Sequence, residues 1–138
     1  MKSDPEVEVE LSGIILNGKN VLFGERINPQ RGITYGFPSK KLRARETFEI
    51  GLYRDIEEET GLKVQIIDKT PCAVTNDLFQ DEHYVTLFFR SQYIGGKTKN
   101  TESEKWKGWH WFRWDRHPSP LYLPIQNLIK QEYDPFKI

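Results

Sequence analysis

Two apolar runs open the chain, "VEVELSGIIL" and "VLFGER", with the polar stretch Asn17-Gly18-Lys19-Asn20 between them. The pattern reads as two strands, and Asn-Gly between apolar runs predicts a hairpin. Residues 28–40, "NPQRGITYGFPSK", carry Gly and Pro breakers and read as a loop with a short extended piece near Tyr35 to Phe37. Over residues 47–60 the period changes. Phe48, Leu52 and Ile56 recur every fourth residue, the stripe of a helix packed on one side. Thr47 can cap its first free N–H groups, and Gly61 suits the left-handed residue that ends it. Gly51 weakens the helix interior, so close packing is expected there. "KVQIIDKTPCAVTN" and "HYVTLFFRSQYI" are rich in β-branched and aromatic residues and read as strands. Residues 95–105 form a polar loop, and "WKGWHWFRWD" an aromatic strand. Pro118 and Pro120 end that strand. Pro124 can open a last helix with Ile125, Leu128 and Ile129 inside. The order of strands, helix, strands, helix is a mixed α/β layout rather than a regular βαβ alternation.

Composition narrows the class. A chain of 138 residues is one domain with room for a core. Lys plus Arg equals Asp plus Glu, so affinity for a polyanion through net charge is disfavoured, and nucleic acid is an unexpected partner. Cys72 is the only cysteine, which excludes a disulfide framework and a thiolate zinc site. No apolar run is long enough for a membrane-spanning helix. The acidic start "MKSDPEVEVE" lacks the layout of a signal peptide, so a cytoplasmic location is expected.

The helix over residues 47–60 concentrates negative charge. Asp55, Glu58 and Glu59 have i, i+3, i+4 spacing and share a face, offset from the Phe48/Leu52/Ile56 stripe. That offset predicts carboxylates outside the core. Their mutual repulsion would raise some pKa values unless a counter-charge is supplied. Mg²⁺ takes oxygen ligands, keeps waters and is completed by substrate phosphates, so it would meet that need. The same spacing also suits a solvated face, with Arg54 and Glu58 as a surface pair.

Glu46, seven residues, then Arg54-Asp55-Ile56-Glu57-Glu58-Glu59-Thr60-Gly61-Leu62 resembles the Nudix box of Nudix hydrolases, G-x5-E-x7-R-E-U-x-E-E-x-G-U. "VLFGER", "YGFPSKKL", "HYVTLFF", "ESEKWKGWHWFRW" and "QEYDPF" are similar to further segments of MutT-like members. The resemblance implies one Nudix domain over residues 1–138, with residues 1–10 a flexible start. It implies an α/β/α sandwich with a mixed sheet. The implied activity is hydrolysis of a nucleoside triphosphate, or another nucleoside-diphosphate-linked compound, with Mg²⁺ or Mn²⁺. A monophosphate and pyrophosphate are the usual products. The implied metal set is Asp55, Glu58, Glu59, Glu46 and the Ser39 carbonyl, with Arg54 orienting a carboxylate.

Two positions depart from the box. Lys40 stands where it has Gly, and Asp55 where it has Glu. Asp is shorter by about 1–1.5 Å of reach, one C–C bond. Lys40, Lys41, Arg43 and Arg45 form a basic arm that could hold substrate phosphates or pair with the acids in place of metal. A nucleotide-sugar hydrolase and a weakened nucleotide-binding protein are the alternative readings.

Glu102 and Glu104 are candidate general bases, since this region of the family often supplies a further acid. Arg26 could reach phosphate, and His83 a base. On the aromatic strand Trp109 and Trp111 share one side, while His110, Phe112 and Trp114 share the other. One side can pack on a helix. The other can stack a base, and Trp109 and Trp111 are the candidates for contact with substrate. Exposed aromatics leave a homodimer open.

Overall fold

The structure, a computed structural model, describes residues 6–29 and 32–137. Its elements are β1 (Glu8–Asn17), β2 (Asn20–Asn28), β3 (Gly32–Gly36), β4 (Ser39–Lys41), α1 (Phe48–Thr60), β5 (Lys63–Ile66), β6 (Ala73–Phe79), β7 (Glu82–Gly95), β8 (Trp106–Arg113) and α2 (Leu123–Lys130). The spine of the sheet runs β3-β2-β1-β7-β5. β4 is added on β1, β6 on β7 and β8 on β2. β1 and β7 run parallel, from Glu8 opposite Tyr84 to Leu16 opposite Gln92; the other pairs are antiparallel. The sheet is therefore mixed, as expected.

Neighbouring residues on a strand point to opposite faces, so one sheet feeds two cores. Ile15, Leu22, Phe89, Trp106 and Trp109 face α1, where Leu52 and Ile56 meet them. Ile14, Leu16, Val21, Phe23 and Phe88 face α2, where Ile125 and Leu128 meet them. The result is the expected α/β/α sandwich, with each helix anchored by its predicted stripe. Gly51 is explained by contact. A Cβ there would come 2.8 Å from Leu11 Cδ1 and 3.0 Å from Glu46 Oε1.

Three expectations are corrected. Residues 28–40 are not mainly loop. β3 pairs with β2, placing Tyr35 opposite Glu25, and β4 pairs with β1, placing Lys40 opposite Leu11. The breakers fall at strand ends, so they limit strand length without preventing pairing. Gln30 and Arg31 of that segment lie outside the described residues. The run 63–76 is two strands, β5 and β6, with Asp68 between them. Asp68 accepts from the Arg90 backbone N–H at 2.8 Å and from its guanidinium at 2.9 and 3.0 Å, so side-chain bonds hold the connection to β7. Residues 1–10, expected to be flexible, include Glu8 to Glu10, which belong to β1; residues 1–5 lie outside the described residues.

Gly24 sits on β2 beneath two indoles. An added Cβ would lie 2.6 Å from Trp109 Cζ3 and 2.7 Å from Trp106 Cε3. Gly24→Ala is expected to lower stability by about 1–3 kcal/mol through overpacking, read as a lower urea midpoint. An unchanged midpoint would mean that the indoles give way freely. Among the described residues no helix is long and apolar enough to cross a membrane.

Candidate active site

The acidic helix is held at both ends as its sequence dictates. Thr47 Oγ1 accepts the Ile50 N–H at 3.2 Å. Gly61 adopts φ 75°, and its N–H closes on the Glu57 carbonyl at 2.9 Å. The acidic face does not stay outside the core. Asp55 and Glu59 are both 0% exposed, and of the three only Glu58 reaches solvent. Asp55 lies against the Arg54 guanidinium, and the polar loop before β8 folds back over the end of α1 beside Glu59. Lys99 N–H donates to the Thr60 carbonyl at 2.8 Å, and Thr101 Oγ1 donates to the Glu58 carbonyl. Trp109 Nε1 donates to the Glu59 carbonyl at 2.9 Å.

Burial, not mutual repulsion, dominates the ionisation of the two covered acids. It pushes Glu59 up to about 7, against the pull of Lys105 and of the Trp106 N–H that donates to Glu59 Oε2. It also raises Asp55, against the Arg54 guanidinium. Glu58 shifts the other way, because the hydrogen bond from Lys40 outweighs its small loss of solvent.

Arg54 is not paired with Glu58, as a solvated helix face would have it. Its guanidinium donates to both Glu46 oxygens, at 3.1 Å to Oε1, and to Asp55 Oδ1 at 2.9 and 3.2 Å. Glu46 Oε1 also accepts the Arg43 N–H at 2.6 Å. The Arg54 hydrogen bond, opposed by some desolvation, holds the Glu46 carboxyl below its usual range.

Two lysine ammonium groups sit among the remaining acids. Lys40 Nζ lies 2.6 Å from Glu58 Oε2 and 2.8 Å from Glu102 Oε2. Lys105 Nζ lies 2.8 Å from the Ser39 carbonyl and 3.1 Å from Glu59 Oε2. Among the described residues no three carboxylate, imidazole or thiol groups stand together as a ready cation cage. The donors nevertheless suit a hard divalent cation, since all are oxygens. Asp55 Oδ2 and Glu59 Oε1 are buried without a hydrogen-bond partner, a costly state that a cation would relieve.

The other predicted residues divide. Glu102 joins the cluster through Lys40, while Glu104 has no ion pair in it and lines an open cleft of ≈ 420 Å³ with the rest of residues 101–105. Lys41 turns away to an exposed pair with Glu8 at 2.8 Å. His83 Nε2 lies 2.5 Å from Asn76 Oδ1, a bond between neighbouring strands. Trp109 is 7% exposed and packs against Trp106, with ring centroids 4.3 Å apart, so it has no free face for a base. Trp111 is also on the α1 side and meets Tyr93 edge-on. Both lie on the α1 side of β8; the packing of Trp109 corrects the stacking expectation for that residue, while Trp111 stays half-buried. Arg26 lies opposite Trp106 in the sheet. Its guanidinium stands 4.4 Å from the Tyr122 ring centroid and 5.6 Å from that of Trp106, and its Nη1 is buried without a partner.

Lys105, Trp106 and Tyr122 were missed from sequence. For Lys105 a signal existed, a basic residue directly after the acidic pair in "ESEK". Trp106 and Tyr122 are core-type residues next to other core-type residues, and nothing local separates them.

Residues 8–131 match the NUDIX domain family. An RNA pyrophosphohydrolase from Zymomonas mobilis subsp. mobilis is 28% identical over 139 residues, covering 87% of this chain and 90% of that protein. Among solved structures, a MutT NUDIX hydrolase from Burkholderia pseudomallei superposes with a TM-score of 0.76 at 22% identity, covering 92% of this chain and 97% of that one. The MutT protein from Methanosarcina mazei Go1 gives a TM-score of 0.78 at 18% identity, covering 95% of each chain. With the box on a capped helix, its carboxylates gathered beneath the loop before β8, and the family match spanning nearly the whole chain, this protein belongs to the NUDIX domain family.

Proposed function

We propose that this chain hydrolyses a phosphoanhydride bond in a nucleoside-diphosphate-linked compound, in the simplest case a nucleoside triphosphate, with Mg²⁺ or Mn²⁺. The observation that carries this reading is the grouping of Glu58, Glu59, Glu102 and the Ser39 carbonyl around two ammonium groups. It is an all-oxygen donor set that needs cationic partners.

In this reading Glu58, Glu59 and the Ser39 carbonyl hold the divalent ion, and Asp55 contributes through its unpartnered Oδ2. Bound there, the ion would neutralise phosphate charge and lower the pKa of a coordinated water. Glu46 has both oxygens committed to Arg54 and the Arg43 N–H, so it positions Arg54 rather than ligating. Arg54 in turn fixes the orientation of Asp55 through Oδ1. Glu102 is preferred over Glu104 as the group that accepts a proton from the attacking water, because it already stands within the cluster. Water adds to a phosphorus, and the bond to the bridging oxygen breaks. The leaving phosphate departs as pyrophosphate when the substrate is a triphosphate. Arg26, wedged against Tyr122 with a free buried N–H, is the candidate contact to substrate.

A second reading has support from one comparison. The curated relative is an RNA pyrophosphohydrolase, and a 5′-triphosphate RNA end contains the same bond. The balanced charge of this chain favours the small substrate.

The test is product analysis on nucleoside triphosphates, diphosphate-linked compounds and a triphosphorylated RNA, with Mg²⁺ and then Mn²⁺. Glu58→Gln serves as the blank. Monophosphate and pyrophosphate from a free nucleotide, lost in the blank, are expected. Turnover of RNA alone would favour the second reading. No turnover above the blank on any compound would remove the catalytic reading.

A further inference from the structure

We infer that Lys40 is a positioning residue for the metal-binding acids: its ammonium is an internal counter-cation that bridges Glu58 and Glu102, and a divalent ion enters by exchange with it. The inference rests on the metal-dependent reading above and goes beyond it, because it concerns what limits metal affinity in this chain.

The geometry carries it. Glu58 is on the last turn of α1, and Glu102 is on the loop that folds over that turn. Lys40 is delivered from a third element, β4, whose pairing with β1 sets it opposite Leu11. Its stem is largely covered, at 21% side-chain exposure, and its Nζ sits 2.6 and 2.8 Å from the two acids. These are the lengths of strong, charge-assisted hydrogen bonds. Lys105 does the same for Glu59 and the Ser39 carbonyl. Three carboxylates therefore face two ammonium groups before any metal arrives.

An oxygen lone pair that accepts from an ammonium cannot ligate a cation at the same time. Lys40 takes one lone pair of Glu58 Oε2 and sets its positive charge where a cation would approach, so a divalent ion must compete with it for this carboxylate. The exchange also places two like charges near one another, since the displaced ammonium stays tethered to β4. Both effects weaken metal binding relative to the same carboxylates without Lys40. The benefit is a helix and loop already held in register while metal is absent.

Mn²⁺ is titrated into the full chain and free ion is followed by its electron paramagnetic resonance signal, which needs no turnover. Lys40→Met keeps the stem and removes the charge, and is expected to bind Mn²⁺ about tenfold more tightly than wild type, or better. Lys40→Arg keeps the charge and is expected to stay near wild type. The melting temperature is read alongside. Without metal Lys40→Met should melt lower than wild type, and its gain on adding Mn²⁺ should be the larger. Lys40→Gln replaces Lys40→Met if the latter does not fold.

Equal or weaker Mn²⁺ binding by a folded, neutral variant overturns the inference. If wild type still binds Mn²⁺ and Glu59→Gln abolishes that binding, the metal-dependent reading survives the failure. Absence of binding in wild type and in the folded neutral variant would overturn the inference and the metal-dependent reading together.

Discussion

Glu59→Gln is expected to cut turnover by at least about 100-fold and to flatten the pH dependence of stability in the metal-free protein. Both effects come from one carboxylate. Glu59 is 0% exposed, accepts from Trp106 Nε1, pairs with Lys105 at 3.1 Å and keeps Oε1 without a partner. Glutamine fills nearly the same space. It lacks the charge that would hold a cation, and its NH₂ group cannot accept from either donor. The activity loss should therefore come without a change of fold, checked by circular dichroism.

The pH effect has a definite sign. Burial raises Glu59 from 4.5 to about 7 in the folded chain. Between those values the folded state keeps a proton that the unfolded chain has released. Stability contributed by the protonated acid is present below about pH 4.5 and is lost as pH rises through about 7. Glutamine cannot titrate, so the variant should gain on wild type over that window. Urea unfolding from pH 4.5 to 8 reads the difference. Parallel curves for the two proteins would mean that Glu59 is solvated in the folded state. Turnover within a few fold of wild type would exclude Glu59 from the proposed metal set.

Arg54→Met is expected to cost about 3–5 kcal/mol in unfolding free energy, the range for removing one partner of a buried ionic group. Arg54 serves two covered acids. At the side chain Asp55 is 1% exposed, Glu46 10% and Arg54 itself only 19%. Without it both carboxylates keep their burial and lose their counter-charge. Arg54→Lys should recover only part of the loss, because a single ammonium cannot replace a planar fork of five donors across two carboxylates. Adding Asp55→Asn to Arg54→Met should restore some stability by removing one uncompensated charge. Denaturant midpoints of the four proteins give the comparison. A loss below about 1 kcal/mol for Arg54→Met would show that the network behaves as a surface pair.

Local features of this chain were legible because they depend on near neighbours. The helix over residues 47–60 is specified by Thr47, Gly61 and a stripe at every fourth position, and the structure has α1 at Phe48–Thr60 with those caps. Pro124 and the Ile125/Leu128 face define α2 in the same way. The box spacing, read as a resemblance, placed Glu58, Glu59 and Arg54 on one element. The order of elements pointed to a mixed α/β layout, and the mixed sheet was implied by the resemblance. What the spacing misjudged was exposure. It put Asp55 and Glu59 outside the core because the Leu52/Ile56 stripe points elsewhere, and it left Trp109 open to a base.

Those outcomes were set by contacts from distant parts of the chain. The bond from Trp106 to Glu59 spans 47 positions, that from Trp109 to the Glu59 carbonyl spans 50, and that from Lys105 to the Ser39 carbonyl spans 66. Lys40 reaches Glu58 across 18. β3 and β4 likewise exist only because β2 and β1 offer them partners. A sequence read locally determines which face of a helix is apolar and how its ends are capped, since those depend on residues a turn or less away. Whether the polar face meets water, another strand or a lysine depends on how the sheet and loops close around it. Desolvation and counter-charge arise only at that closure, and so the ionisation of this acidic helix belongs to the tertiary structure.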